Sequence, residues 1–150
     1  MRNRRLALDA FVPYRLSVLT NRVSSAIARH YAERFALTIA EWRVMAVLGD
    51  TPGLSARDVA QRTAMDKVQV SRAVATLMAA RRLVRRQDAK DGRVAHLYLS
   101  RSGRAVYHEI APLALRLERT LLSALSAKEQ KSLDQLLAKL ARQVGRLHVR

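Results

Sequence analysis

The chain has 150 residues, 49% of them hydrophobic, with 28 Lys+Arg against 12 Asp+Glu and a net charge of +16 at pH 7. That is enough for one domain with a real core and too apolar for a disordered basic tail. The absence of Cys excludes a disulfide scaffold, a Cys-ligated zinc or iron–sulfur site and a thiol redox sensor.

From the N-terminus, Met1–Arg5 is basic, but Asp9 and Arg15 interrupt any signal-peptide core. No uncharged run reaches the roughly 18 apolar residues of a membrane span, so the chain is expected to be soluble and cytoplasmic. Over residues 9–34, Leu16, Leu19, Val23, Ala26, Ile27 and Tyr31 recur at helical spacing and predict one helix. Thr38 and Glu41 form a capping box that opens a second helix ending near Gly49, before Pro52-Gly53. Ser55 with Asp58 opens a short helix to about Arg62, and Asp66 with Gln69 opens another to about Arg82.

The period then changes. Leu83–Gln87 and Val94–Leu99 predict two strands around the charged, turn-rich tip Asp88–Arg93, with Val94, His96 and Tyr98 on one face and Ala95, Leu97 and Leu99 on the other. Ser100 caps a long helix over 101–125, in which Pro112 is expected to kink the axis. A second capping box, Ser126 with Glu129, opens a last helix to about Arg146 that carries Leu133, Leu136, Leu137, Leu140 and Val144 on one face. No internal repeat or linker divides residues 1–150.

Charge is concentrated in the middle of this order. Residues 55–104 hold 12 basic and 4 acidic side chains, while the flanking segments 1–54 and 105–150 hold 8 and 4 each. A polyanion, and nucleic acid first, is the partner such a segment suits. A membrane-surface role wants bulky aromatics, which make up only 5% of the chain.

Helix, turn, helix and basic hairpin over residues 38–100 make a winged helix-turn-helix. In the helix starting at Asp66, at about 100° per residue, Val70, Ala73, Val74 and Leu77 fall on the core side. Val68, Arg72, Ala75 and Ala79 fall opposite, flanked by Gln69, Ser71 and Thr76. A merely solvated face mixes Glu with Lys, whereas a face for the major groove needs short side chains and no carboxylates. Arg72 suits guanine, Gln69 adenine and Val68 a thymine methyl, while Lys67, Ser71 and Thr76 suit phosphate or either base. Ser55 and Arg57 are candidate phosphate anchors at the free N–H groups of a helix start. Arg85, Arg86, Lys90 and Arg93, with Arg81 and Arg82 nearby, give the wing the charge to enter a minor groove, and Asp91 stands where it can hold the Arg93 guanidinium.

These segments, Leu54–Ala60, Asp66–Leu77, Leu83–Arg93 and Leu97–Gly103, resemble the MarR family of bacterial transcription regulators, in order and over essentially the whole chain. Val-Ser-Arg at 70–72 and Asp-x-Arg at 91–93 are the most specific parts. The resemblance implies a mainly α (α+β) winged helix-turn-helix and a homodimer built from helices in residues 1–37 and 101–150. It further implies a recognition helix at 66–82, a wing arginine at Arg93, a palindromic operator, and release of DNA by a small, often aromatic, acid. Gly92 departs from the pattern, standing where many members carry a second basic residue. The residues point to a dimer independently, because helices 9–34, 101–125 and 127–146 are too apolar for a monomer to cover. Two-fold symmetry then spaces half-sites about 10 base pairs apart.

Enzyme signatures are missing from the sequence: there is no Gly-rich phosphate loop, nucleophile elbow or paired acids on one face. His30, His96, His108 and His148 are too scattered for a zinc site, and no cofactor is expected. Trp42 and Arg43, set against Tyr14, Arg15, Arg22 and His30, are candidates to bind an aromatic carboxylate or aromatic acyl-CoA, although Trp42 is equally placed to be a core residue. A charge-driven architectural DNA binder is the alternative, disfavoured by the mixed Gln, Ser and Arg of the outward face. An RNA partner would call for stacking aromatics, and the chain has 2 Phe, 4 Tyr and 1 Trp.

Overall fold

The computed structural model describes residues 5–148; most of the basic start Met1–Arg5, and residues 149–150, lie outside the described residues. The first apolar stripe is not one helix. A 3-10 turn at Leu8–Ala10 precedes α1 (Val12–Ala28), where Pro13 occupies the first turn, a place that needs no N–H. The chain then tightens, with His30 N–H donating to the Ile27 carbonyl and Tyr31 N–H to that of Ala28, both at 3.1 Å. One further helical turn follows, α2 (Ala32–Phe35), closed by Ala36 at φ +50°. This break turns the Tyr31 ring into the core, 1% exposed. Burial pushes its phenol up to about 12, against the opposing pull of Arg43.

Helix α3 (Ile39–Asp50) starts at the predicted capping box: Glu41 N–H donates to Thr38 Oγ1 and Thr38 N–H to Glu41 Oε2, each at 3.1 Å. α4 (Ala56–Thr63) and α5 (Lys67–Ala79) follow, separated by Ala64 at φ +54° and the Asp66 cap. α5 ends three residues before the expected Arg82. Arg81 takes φ +58° and Arg82 N–H reaches back to the Leu77 carbonyl at 2.8 Å, a Schellman-type close that turns the chain into the hairpin.

Strands β1 (Leu83–Gln87) and β2 (Ala95–Leu99) pair antiparallel from Leu83↔Leu99 to Gln87↔Ala95. Leu54 bridges to Leu97 on the far side of β2, which ties the loop before α4 to the hairpin. Leu97 and Leu99 are buried and the other β2 residues half-buried, as the alternation predicts. Val44, Met45 and Leu48 of α3, Val59 of α4, and Val70, Ala73, Val74 and Leu77 of α5 complete this core with Leu83 and Ile110.

α6 (Arg101–Leu122) stays helical on both sides of Pro112. Its start is fixed by Ser100, whose hydroxyl accepts from Gly103 N–H at 3.0 Å and donates to the Arg81 carbonyl at 2.6 Å. Whereas the sequence reads as one unit over 1–150, packing groups it into two compact units, residues 1–113 and 114–150, parted within α6. The second unit contains α7 (Ala127–Val144), opened by the predicted Ser126–Glu129 box. Leu133, Leu136, Leu137, Leu140 and Val144 are all exposed along it. Among the described residues, no helix is long and apolar enough to cross a membrane.

Candidate nucleic-acid interface

The α5 surface follows from its period. With Val70, Ala73, Val74 and Leu77 buried, residues Lys67, Val68, Gln69, Ser71, Arg72, Ala75, Thr76 and Ala79 are all exposed. Val68 stands 58% exposed at the first turn, an unfavourable place for an apolar side chain unless it meets another surface. The only acid at this end, Asp66, is the cap, and its carboxylate accepts from Gln69 N–H at 2.8 Å. Thr76 differs from the other polar groups: its hydroxyl donates to the Arg72 carbonyl at 3.0 Å. Without DNA its proton is thus used within the helix.

At the start of α4 the Ser55 hydroxyl is also engaged. It accepts from Asp58 N–H at 3.2 Å and donates to Asp58 Oδ2 at 2.9 Å, so any anchoring at this end falls to backbone N–H groups and to Arg57. The Arg57 side chain lines a depression of about 420 Å³ together with Lys67, Ser71 and Arg85, and a second of about 270 Å³ together with Arg85 and Arg93. A basic trough thus joins α4, α5 and the wing.

The hairpin splits its arginines by alternation. Arg85 has the parity of Leu83 and faces the trough, whereas Arg86, paired across from His96, has its guanidinium 5.2 Å from the centre of the Tyr98 ring. Of these two wing arginines, Arg85 is the one that joins Arg57, as period-2 counting from buried Leu83 requires.

The wing tip corrects the expected Asp91–Arg93 side-chain pair. Asp91 Oδ1 accepts from the backbone N–H of Arg93 at 3.0 Å, leaving the guanidinium out of this contact. Asp88 does not pair with an arginine either. Its Oδ1 takes the N–H groups of Lys90 and Asp91 at 2.8 and 3.0 Å, and its Oδ2 lies 2.8 Å from His96 Nε2. These contacts, that of His96 foremost, hold the Asp88 carboxyl down at about 2. The same ion pair, with the Gly53 carbonyl, raises the His96 imidazole above its ordinary value. Lys90 and Arg93 remain exposed on the tip.

The candidate ligand residues do not form one wall. Tyr14, Arg15 and Arg22 line an open depression on α1 itself. Trp42 is half-buried, stacked on Tyr107 with ring centres 5.9 Å apart and 28° between planes, and 5.8 Å from Tyr31. It is a core-lining residue. Arg43 donates to Ser24 Oγ at 3.1 Å, and His30 is exposed in the turn after α1. Among the described residues no group of three or more His, Asp or Glu side chains is placed to hold a metal.

Residues 37–94, from before α3 through the wing tip, match the model of the MarR family. Over this segment the chain is similar to the MarR family. A relative, the HTH-type transcriptional regulator BilQ of Clostridium symbiosum, is 32% identical over 95 residues, which are 63% of this chain and 66% of that protein, a little under two thirds. Among solved structures, a probable transcriptional regulator from Pseudomonas aeruginosa is 29% identical with a TM-score of 0.76, covering 89% of this chain and 98% of its own. Bordetella bronchiseptica BpsR, whose DNA binding is regulated by 6-hydroxynicotinic acid, is 25% identical with a TM-score of 0.79, covering 91% and 97%. BilQ and the Pseudomonas aeruginosa protein are described as transcriptional regulators.

Proposed function

We propose that the chain is a sequence-specific, homodimeric DNA-binding transcription regulator of the cytoplasm, a repressor that leaves a palindromic operator when a small aromatic acid or aromatic acyl-CoA binds. The observation that carries this reading is the exposed, acid-free face of α5 beside a trough of Arg57, Lys67 and Arg85. Carboxylates are missing where phosphates would lie, and the side chains that reach outward are those that read base edges. In this reading Arg72, Gln69 and Val68 contact bases. Lys67, Ser71, Arg57, Arg85, Lys90 and Arg93 contact phosphates or the neighbouring minor groove.

The dimer is supported by the apolar stripe of α7, which water would not tolerate along five large side chains of one protomer. The effector class is supported by BpsR and its aromatic acid, and by the arginines of the α1 depression, which suit a carboxylate or the phosphates of a thioester. Selection of bound duplexes from a random pool at about 150 mM salt tests the reading. An enriched inverted repeat with half-sites about 10 base pairs apart supports it. An unenriched pool, bound with a steep salt dependence, identifies a charge-driven architectural binder instead.

A further inference from the structure

His96 sits between two groups that can only accept. Its Nδ1 lies 2.8 Å from the Gly53 carbonyl and its Nε2 2.8 Å from Asp88 Oδ2. A neutral imidazole carries one N–H, so it satisfies one of these partners and turns a lone pair on the other. Only the imidazolium donates to both.

The two partners belong to different parts of the motif. Gly53 is in the loop between α3 and α4, whose backbone is joined to β2 at Leu97. Asp88 opens the wing tip, and its other oxygen holds the N–H groups of Lys90 and Asp91. A shift of the Asp88 carboxylate therefore passes directly to the turn that displays Lys90 and Arg93. We propose that His96 is a positioning residue for DNA binding: as imidazolium it ties the wing tip to the α3–α4 loop, and deprotonation releases the tip.

The charged surroundings favour the tied form. Asp88 from the wing turn, the Gly53 carbonyl from the loop and Asp58 from α4 all stabilise the imidazolium, and partial burial opposes it; Arg86 is the charged residue paired directly across in β1. The tie is present below the raised His96 value and lost as pH rises through it; Asp88 stays ionised throughout.

Asp88→Asn separates this role from simple charge. The asparagine keeps an oxygen for the Lys90 and Asp91 N–H groups and puts an NH2 where Oδ2 was. That NH2 donates to the bare Nε2 of a neutral imidazole while Nδ1–H still serves Gly53. The tie then survives without the proton.

The inference rests on the DNA-binding reading, so its test has an arm without DNA. Ring and backbone NMR of the free full chain is followed through pH. His96 is expected to titrate above the roughly 6.5 of an unperturbed imidazole, with the amides of residues 88–94 following the same curve. In Asp88→Asn those amides should hold still. Affinity is then measured for the duplex enriched from the random pool and for a scrambled one. The parent chain should weaken roughly three- to tenfold as pH rises from about 6 to about 9, and Asp88→Asn should change less than about twofold. Wing amides that ignore the His96 titration, or equal pH slopes in the two proteins, overturn the proposal. A pool with no preferred sequence overturns the reading of specificity, while the ring titration and the scrambled duplex still decide the tie.

Discussion

Arg57 of α4 and Arg85 of β1 line the same two depressions, one toward α5 and one toward the wing. Two guanidiniums sharing one trough repel each other unless an anion lies between them, which suits the trough to the proposed phosphate contact. Arg85→Ala is expected to weaken binding to all duplexes and lower the salt slope by about 1 per chain. Arg86→Ala, which removes a group resting on the Tyr98 ring, should change the slope less. Salt titrations of the two variants against one duplex check this; the reverse ranking would be contrary to the trough.

The contrast between these neighbours shows how much the sequence conveyed. Caps and periodicity were legible, because Thr38–Glu41, Ser126–Glu129 and the Val70–Leu77 stripe act within one turn or one helix. The break after Ala28 was not, since it comes from Tyr31 turning into a core made by distant segments. The trough residues Arg57 and Lys67 were legible as basic residues at helix starts. The tie of His96 to Asp88 and Gly53 was not, because Gly53 is 43 residues away and meets it only through the Leu54–Leu97 bridge. Trp42 looked like a binding residue because it is the chain's one Trp; its partner Tyr107 lies on a helix far along the sequence.

Arg72 is exposed at the middle of the outward face of α5. Arg72→Ala should cost about 1–3 kcal/mol, with the preference lost at one base position and kept elsewhere. Comparing affinities over single-base variants of the selected site measures it. A uniform loss on every sequence would make Arg72 a phosphate contact.

Gly103 lies against the Arg82 backbone so closely that a Cβ there would overlap the carbonyl oxygen. In an exposed helix Gly→Ala stabilises by about 0.5–1 kcal/mol. Here the sign should reverse: Gly103→Ala is expected to destabilise by about 1–3 kcal/mol. Gly92→Ala, with nothing within 4 Å of the added Cβ, should stay within about 0.5 kcal/mol. Thermal unfolding of both variants reads the difference.

On α7, Leu137 and Leu140 are 49% and 48% exposed within one protomer. Replacing both by Glu should leave helix content unchanged while the sedimentation coefficient drops from that of a dimer to that of a monomer. Unchanged sedimentation would place the dimer contact elsewhere.

The most direct test of the central claim is the ratio of affinities for the enriched inverted repeat and a scrambled duplex of equal composition, at about 150 mM salt. A dimer reading base edges through α5 should prefer its site by roughly 10³-fold or more. A ratio near one would contradict sequence-specific regulation and leave a protein that holds DNA by charge alone.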